Sequence, residues 1–243
     1  ADVDWQRFDG VLIRTTWDYT ARRDAFVAWC HGLGERVHNT GAVVAWNTHK
    51  GYLRELEALG VPIVPTVWLE QGSRFSISEL ATGQVFLKPC VAANADGTGR
   101  FEATDPAAQA HADALVATGD AMLQPFLPSV GSQGERSAIV VDGVVTHCVC
   151  KVPAAGDYRV QDDFGATDGP HSPSEAEAAL IQATLAALPT GLLYARIDWL
   201  LSDDGAPMIN EVELVEPSLF FRHAPHAAEV LARAFVARIR PRT

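Results

Sequence analysis

YARIDWLLSDDGAPMINEVELVEPS, residues 194–218, is two runs of alternating apolar and polar residues joined at Asp203-Asp204-Gly205, which is a β-hairpin signature. A register symmetric about Asp204-Gly205 sets Asp198 opposite Glu211 and Arg196 opposite Glu213. Side chains alternate with period two, so these four share one face. The other face carries Ile197, Trp199, Leu201, Met208, Val212 and Leu214, with Asn210 its one polar member. Carboxylates facing each other across a ladder destabilise it. A bound divalent cation would remove that cost, since Mg²⁺ is commonly held by one or two carboxylates plus phosphate oxygens. A solvated acidic face balanced by Arg196 is the other reading of the same residues.

The whole chain narrows the choice. Its 243 residues, 48% hydrophobic and 20% charged, suit a globular protein of one large domain or two small ones. The formal net charge of −11 argues against nucleic acid or an anionic membrane as a partner. No apolar run approaches the roughly 18–20 residues that span a bilayer, and no secretory hydrophobic segment opens the chain. Cys30, Cys90, Cys148 and Cys150 show no zinc-type spacing, which predicts reduced thiols and a cytoplasmic setting. The sequence starts at Ala1 without a methionine, so an N-terminal lobe lacking its first element is expected.

Lysine usage is more informative. Lys50, Lys88 and Lys151 stand against sixteen arginines. Arginine evidently serves wherever any positive charge will do. The three lysines are candidates for sites that need a compact ammonium on phosphate oxygens.

Along the chain, residues 8–14 read as a buried strand, with Thr15-Thr-Trp-Asp-Tyr19 at its carboxyl end, where open α/β sheets place ligand loops. The spacing predicts a helix over 21–37, a short strand over 42–46, and a helix over 48–59 capped by Asn47. Lys50 then falls in a first helical turn, where a cation is disfavoured unless an anion binds there. A strand over 85–89 ends at Lys88-Pro89, and Asn94-Ala-Asp-Gly-Thr-Gly-Arg100 is a glycine loop that an Asp-Gly turn explains as well as a phosphate cradle does. A helix over 105–117 and a strand over 122–127 follow, then a hairpin over 136–150 turning at Asp142-Gly143. A long polar loop runs over 156–173, and a helix over 174–188 opens with the capping box Ser174/Glu177. A last amphipathic helix covers 227–240.

The order Lys50, strand-Lys88-Pro, glycine loop, Gln124-Pro-Phe126, Lys151, Gly-Asp-Tyr-Arg159, Arg196-Ile-Asp198 and Glu211-x-Glu213 resembles the ATP-grasp ligases. D-alanine–D-alanine ligase, glutathione synthetase and the glutamate-adding peptide ligases belong to that superfamily. The resemblance runs from about residue 47 to 218. One departure is Glu213, where the family usually carries Asn. Arg14-Thr-Thr-Trp-Asp-Tyr19, Trp46-Asn47 and Glu211-Val-Glu-Leu-Val-Glu-Pro-Ser218 look closest to the O-ureidoserine cyclo-ligases of D-cycloserine biosynthesis, an antibiotic pathway.

The resemblance implies an α/β fold of α+β lobes that grip ATP, preceded by a partial, mostly parallel α/β lobe. The layout would be residues 1–47 as a partial substrate lobe, 48–127 as the ATP-grasp small lobe, and 128–243 as the C-terminal lobe with the Mg-binding hairpin. It implies ATP and Mg²⁺ as cofactors and a small amino-acid-like substrate, with a homo-oligomer left open. The reaction would be carboxylate–nitrogen ligation through an acyl phosphate, with release of ADP. Asp198, Glu211 and Glu213 would hold the metal. Lys50, Lys88 and Lys151 would take phosphate oxygens, and Arg196 and Arg159 would stabilise the acyl phosphate. Gln124 and Phe126 would lie along adenine, and Glu135 would reach the ribose. A simple register about Asp142-Gly143 puts Glu135 on the face opposite Lys151, so the last role requires a bulge. Arg14, Trp17, Asp18, Tyr19 and Ser218 would meet the substrate. Two alternatives stay open at this point: an ATP-grasp small-molecule kinase, and a nucleotide-binding module without turnover.

Overall fold

Two antiparallel sheets supply the opposite walls of a cleft in the computed structural model, which describes residues 3–154, 156–160 and 165–239. In chain order the elements are β1 (Val11–Leu12), α1 (Arg23–Leu33), β2 (Val37–His38), α2 (Gly41–Asn47), α3 (Tyr52–Ala58), β3 (Val67–Leu69), α4 (Ile77–Leu80) and β4 (Gln84–Pro89). They continue as β5 (Gly99–Glu102), α5 (Pro106–Val116), β6 (Ala121–Pro125), α6 (Ser129–Gln133), β7 (Glu135–Val141) and β8 (Val144–Val152). The chain closes with β9 (Thr167–His171), α7 (Glu175–Ala187), β10 (Tyr194–Leu201), β11 (Pro207–Glu213) and α8 (Pro225–Arg238). The smaller sheet has the order β3-β6-β4-β5, and the larger β11-β10-β7-β8-β9. Strands β1 and β2 form a parallel pair ahead of both. Among the described residues, no helix is long and apolar enough to cross a membrane.

The larger sheet is buried on two sides, and its two faces do different things. On one face Ala138, Ile197, Trp199 and Val212 pack under α3 and α7 through Leu53, Leu56, Leu180 and Ile181. On the other, Ile139, Val141, Val149 and Tyr194 lie under α8 through Leu231. Beyond α8 the same face turns polar: Ser137, Arg196 and Asp198 continue its alternation, and Arg196 and Asp198 line the cleft. The smaller sheet has its own core, in which Leu69, Val85, Leu87 and Leu123 meet Ala108, Ala112 and Val116 of α5. Helix α3 precedes that sheet in the chain, yet packs on the larger one.

Several elements differ from the sequence expectation. The strand expected over 42–46 is helix α2, because Thr40 caps it by accepting the Val43 N–H, and a short apolar run does not by itself distinguish a strand from a buried helix. Asn47 therefore ends a helix instead of opening one, and Lys50 lies in the turn just before α3. The expected strand over 8–14 contracts to β1. Strand β9 lies inside the segment read as a loop, pairing with β8, and the five-residue α6 was not foreseen. The capping box of Ser174 and Glu177 is present. The last helix runs to Arg238, and Arg240 lies outside the described residues.

The freed side chains of two asparagines lock the first lobe to the hairpin. Asn47 donates to the Val212 carbonyl (2.8 Å) and accepts the Leu214 N–H (2.7 Å). Asn39 donates to the Tyr194 (2.9 Å) and Leu214 (2.8 Å) carbonyls and accepts the Leu193 N–H (2.7 Å). The edge strand β11 is thereby covered rather than left as an open ladder. Asn39→Ala would leave three buried backbone groups without partners and should cost about 2–4 kcal/mol. Urea unfolding should show a lower midpoint at unchanged slope; an unmoved midpoint would contradict this account.

Candidate active site

The hairpin register puts the acids where the sequence places them. Arg196 pairs with Glu213 and Asp198 with Glu211 across the β10–β11 ladder. The register then shifts by one, so that Trp199 faces Ile209 and Asn210 is the extra residue. This bulge turns Asn210 into the cleft, where it donates to Glu135 Oε1 (2.6 Å) and accepts from Lys88 Nζ (3.4 Å). It accounts for the one polar residue on an otherwise apolar face. A second bulge, between Ile139 and Val140, brings Glu135 directly opposite Lys151. The carboxylate of Glu135 lies 2.7 Å from Lys151 Nζ. Gly134 precedes it at φ 72°, and a Cβ there would come within 2.4 Å of the Lys151 carbonyl oxygen, so only glycine lets the two strands approach.

The cleft has a volume of about 370 Å³. Phe86, Lys88, Met122 and Gln124 line it from the smaller sheet, and Glu135, Lys151, Arg196, Asp198, Asn210, Glu211 and Glu213 from the larger. Trp17, Tyr19 and Lys50, from the chain ahead of the smaller sheet, complete the lining. All three lysines of the chain meet here.

Charge inside the cleft is paired unevenly. Asp198, 1% exposed, accepts from Arg196 (2.8 Å) and from Ser137 Oγ (2.5 Å), with Lys151 at 3.6 Å. Burial alone would raise its carboxyl, but Arg196 and Lys151 bring it down to about 2. Lys50 contacts Glu211, and Arg196 contacts Glu213 as well as Asp198. The Lys50 ammonium, which burial alone would weaken, is held above its ordinary range by Glu211. Lys88 has no carboxylate within ion-pair distance among the described residues; burial and the charge of Lys50 outweigh Glu211 and lower it. Glu213 goes the other way. Burial raises it against the pull of Arg196, and with Glu211 and Asp198 nearby it reaches about 7. Glu216, just past β11, is raised to about 8 by burial and then by Glu213 and Glu211.

Against this geometry, two family models match the chain. The prokaryotic glutathione synthetase ATP-grasp domain matches over residues 64–219, and the N-terminal domain of D-cycloserine synthetase DcsG over residues 1–39. The chain belongs to the ATP-grasp family. It is 30% identical to the cycloserine biosynthesis protein DcsG of Streptomyces lavendulae across 98% of this chain and 86% of that protein. A glutathione synthetase of Prochlorococcus marinus is 26% identical over 83% of this chain and 65% of its own length. The crystal structure of D-cycloserine synthetase DcsG superposes with a TM-score of 0.87 at 29% identity, covering 99% of this chain and 87% of that one. A D-alanine–D-alanine ligase from Bacillus anthracis shares the fold, with a TM-score of 0.69 at 16% identity over 96% of this chain and 80% of its own. As an ATP-grasp ligase, this protein is an ADP-forming enzyme that makes carbon–nitrogen bonds.

Within the ATP-grasp cleft the structure gathers most of the residues singled out in the sequence, but not all. Lys50, Lys88, Gln124, Glu135, Lys151, Arg159, Arg196, Asp198, Glu211, Glu213, Trp17, Tyr19 and Ser218 line it. Arg159 holds Asp157 in a two-toothed contact at 2.7–3.2 Å. Phe126 does not line the cleft. Its N–H donates to the Gln84 carbonyl (2.9 Å), and its ring lies under Arg100 and against Phe86, which does. Arg14 also stands behind the lining: one guanidinium nitrogen (Nη2) donates to the Pro217 carbonyl (2.8 Å), and another (Nη1) is buried without a hydrogen-bond partner among the described residues. Asp18 points away, with its side chain 83% exposed and paired to Arg22. The 3-10 turn that begins at Tyr19 buries Tyr19 in the cleft wall and turns its neighbour outward. Asn210 and Glu216 were missed. Asn210 had a legible signal, as the polar exception on an apolar face; Glu216 sits past the hairpin, where alternation no longer assigns a side.

The donors suit a hard divalent cation. They are carboxylate oxygens, and burial together with the neighbouring Glu211 and Asp198 raises Glu213 despite Arg196, a cost that a bound cation would relieve. Among the described residues, no three His, Cys, Asp or Glu side chains stand close enough to hold a metal unaided. Further oxygens would have to come from a nucleotide.

Glu213 and Glu216 bind protons more tightly folded than unfolded. Their burial therefore costs nothing below the ordinary carboxylate range and lowers stability as pH rises through about 7 and 8. Thermal melts without nucleotide between about pH 5 and about pH 8 should show a falling Tm, with a shallower fall for Glu213→Gln. Parallel curves for the two proteins would contradict the assignment.

Proposed function

We propose that this ligase phosphorylates the carboxylate of a small amino-acid-like substrate with ATP and then joins the activated carbonyl to a nitrogen. O-ureidoserine is the leading candidate: its O-linked nitrogen would displace phosphate from the acyl phosphate to close the ring, and hydrolytic loss of the carbamoyl group as carbon dioxide and ammonia would leave cycloserine. The observation that carries the reading is the convergence of Lys50, Lys88 and Lys151 on one cleft with Asp198, Glu211 and Glu213. The similarity to DcsG along nearly the whole chain supports the substrate. We retain 1–47, 48–127 and 128–243 as the substrate, small and C-terminal lobes, with residues 52–63 leaning on the last.

Two anions, a carboxylate and a triphosphate, must approach each other, and the cleft residues divide the work of neutralising them. Asp198, Glu211 and Glu213 would hold Mg²⁺, which when bound supplies positive charge to the phosphate oxygens. Lys88 is poised for the triphosphate, since a neutral amide is its present hydrogen-bond partner. Lys50 would leave Glu211 for phosphate oxygens, and Lys151, steadied by Glu135, would take others. Phe86 and the 124–127 segment would border adenine, with Phe126 acting through its packing on Phe86. Glu135, on the larger sheet's side of the cleft, would reach the ribose. Arg196 and Arg159 would donate to the acyl phosphate and to the tetrahedral species that follows. Each now contacts a carboxylate, Asp198 for Arg196 and Asp157 for Arg159. Trp17, Tyr19 and Ser218 would border the substrate, while Arg14 would act through the 217 carbonyl that it fixes. Asp18, turned to solvent, is left without a substrate role in this geometry.

A phosphate-release assay with O-ureidoserine tests the proposal. Lys88→Ala should lower kcat by about 10²–10³-fold, as removal of one charge-stabilising donor does. Glu211→Gln should abolish Mg²⁺-dependent ADP formation in a protein that still melts cooperatively. Unchanged turnover in Glu211→Gln would remove the metal assignment.

A further inference from the structure

We propose that Glu216 is the specificity-determining residue at the acceptor end of the cleft and that its carboxylate receives the protonated amino group of the substrate. The inference rests on the ligase reading above and names the feature of the substrate that this chain selects.

Glu216 is 7% exposed and lines the cleft. Among the described residues, no hydrogen bond or ion pair reaches its side chain. The other acids of the cleft all have partners: Glu135 has Lys151 and Asn210, Asp198 has Arg196 and Ser137, Glu211 has Lys50, and Glu213 has Arg196. A buried acid without a donor is unfavourable unless a ligand provides one.

The backbone that carries Glu216 is fixed at three successive carbonyls. Tyr194 Oη donates to Val215 (2.7 Å), the Trp17 indole to Glu216 (3.1 Å), and Arg14 to Pro217 (2.8 Å). The carboxylate is thus presented from a frame built by two separate parts of the chain, which is how a recognition group is held in place. Trp17 and Tyr19 line the same cleft from the first lobe, and aromatic faces favour an ammonium over a neutral group. The Glu216 charge acts on the Tyr19 phenol more than any other charge does.

The surrounding charge points the same way. Lys50 and Arg196 contact other acids in the ligand-free cleft and are assigned to phosphate oxygens and the acyl phosphate when nucleotide binds, so neither is assigned to Glu216. An amino acid carries two charges, and the lysines and arginines of the cleft suit its carboxylate. Glu216 is the acid left to take the ammonium. Asp18, the other acid that the sequence places near the substrate, faces solvent.

Calorimetric titration of the full chain, with Mg²⁺ and a nonhydrolysable ATP analogue present, tests this without turnover. The probes are O-ureidoserine and its desamino analogue, 3-(ureidooxy)propionic acid. The unmodified chain should bind the amino compound at least about tenfold more tightly, and Glu216→Gln should bring the two within about threefold. Glu216→Asp should restore part of the preference. A preference below about threefold in the unmodified chain, an equal preference in Glu216→Gln, or binding of neither compound overturns the proposal. The first of these needs no variant, so it stands even if Glu216→Gln fails to fold. ADP release with O-ureidoserine is read separately. Its absence alongside an intact, Glu216-dependent preference would overturn the ligase reading and leave the role of Glu216 in place.

Discussion

A carboxylate buried opposite another carboxylate is the constraint around which the rest of the molecule is arranged. Asp198 and Glu211 face each other across β10 and β11, and Asp198 is closed off from water. Acids so placed require cations, and the chain supplies them from three directions. Arg196 comes from the same strand, Lys151 from β8, and Lys50 from the turn before α3. The balance falls short at Glu213 and Glu216, whose carboxyls are pushed up by burial and then by neighbouring acids, Glu211 and Asp198 for the first and Glu213 and Glu211 for the second. Lys88 has the opposite shortage, an ammonium with no carboxylate at ion-pair distance among the described residues. A cleft in which one cation and two acids are left under-compensated suits a ligand that brings both phosphate and metal, which is what ATP-grasp ligases bind.

Rigidity on the far side of the hairpin makes that imbalance sustainable. Asn39, Asn47 and Tyr52 satisfy backbone groups of β10, β11 and the residues that follow, so the acids cannot relax by shifting strands. Trp199 is fixed by Glu177, which also caps α7. The first lobe is therefore part of the site even where its side chains do not reach the cleft. Arg14 shows this: it grips the Pro217 carbonyl and leaves the cleft to its neighbours Trp17 and Tyr19.

The acidic hairpin was legible because period-two alternation and an Asp-Gly turn fix which residues face each other, and the pairings of Asp198 with Glu211 and Arg196 with Glu213 hold. The three lysines were legible because they were scarce. What the sequence concealed were the bulges. One extra residue at Asn210 and another opposite Ile139 and Val140 reverse the side on which neighbours emerge, and no local pattern announces them. The Glu135 assignment depended on such a bulge, and the structure contains it. Helix α2 was misread as a strand since five apolar residues suit either, and the deciding contact is the Thr40 cap. Glu216 lay beyond the reach of alternation. Only the carbonyl contacts that hold residues 215–217 show where it faces.

The most direct test is a crystal structure of the protein with Mg²⁺ and a nonhydrolysable ATP analogue. The account predicts that Lys50 leaves Glu211 for phosphate oxygens and that the ion lies among Asp198, Glu211 and Glu213, with Lys88 and Lys151 on the triphosphate. Intact Lys50–Glu211 and Arg196–Glu213 pairs, with the nucleotide bound away from them, would contradict it.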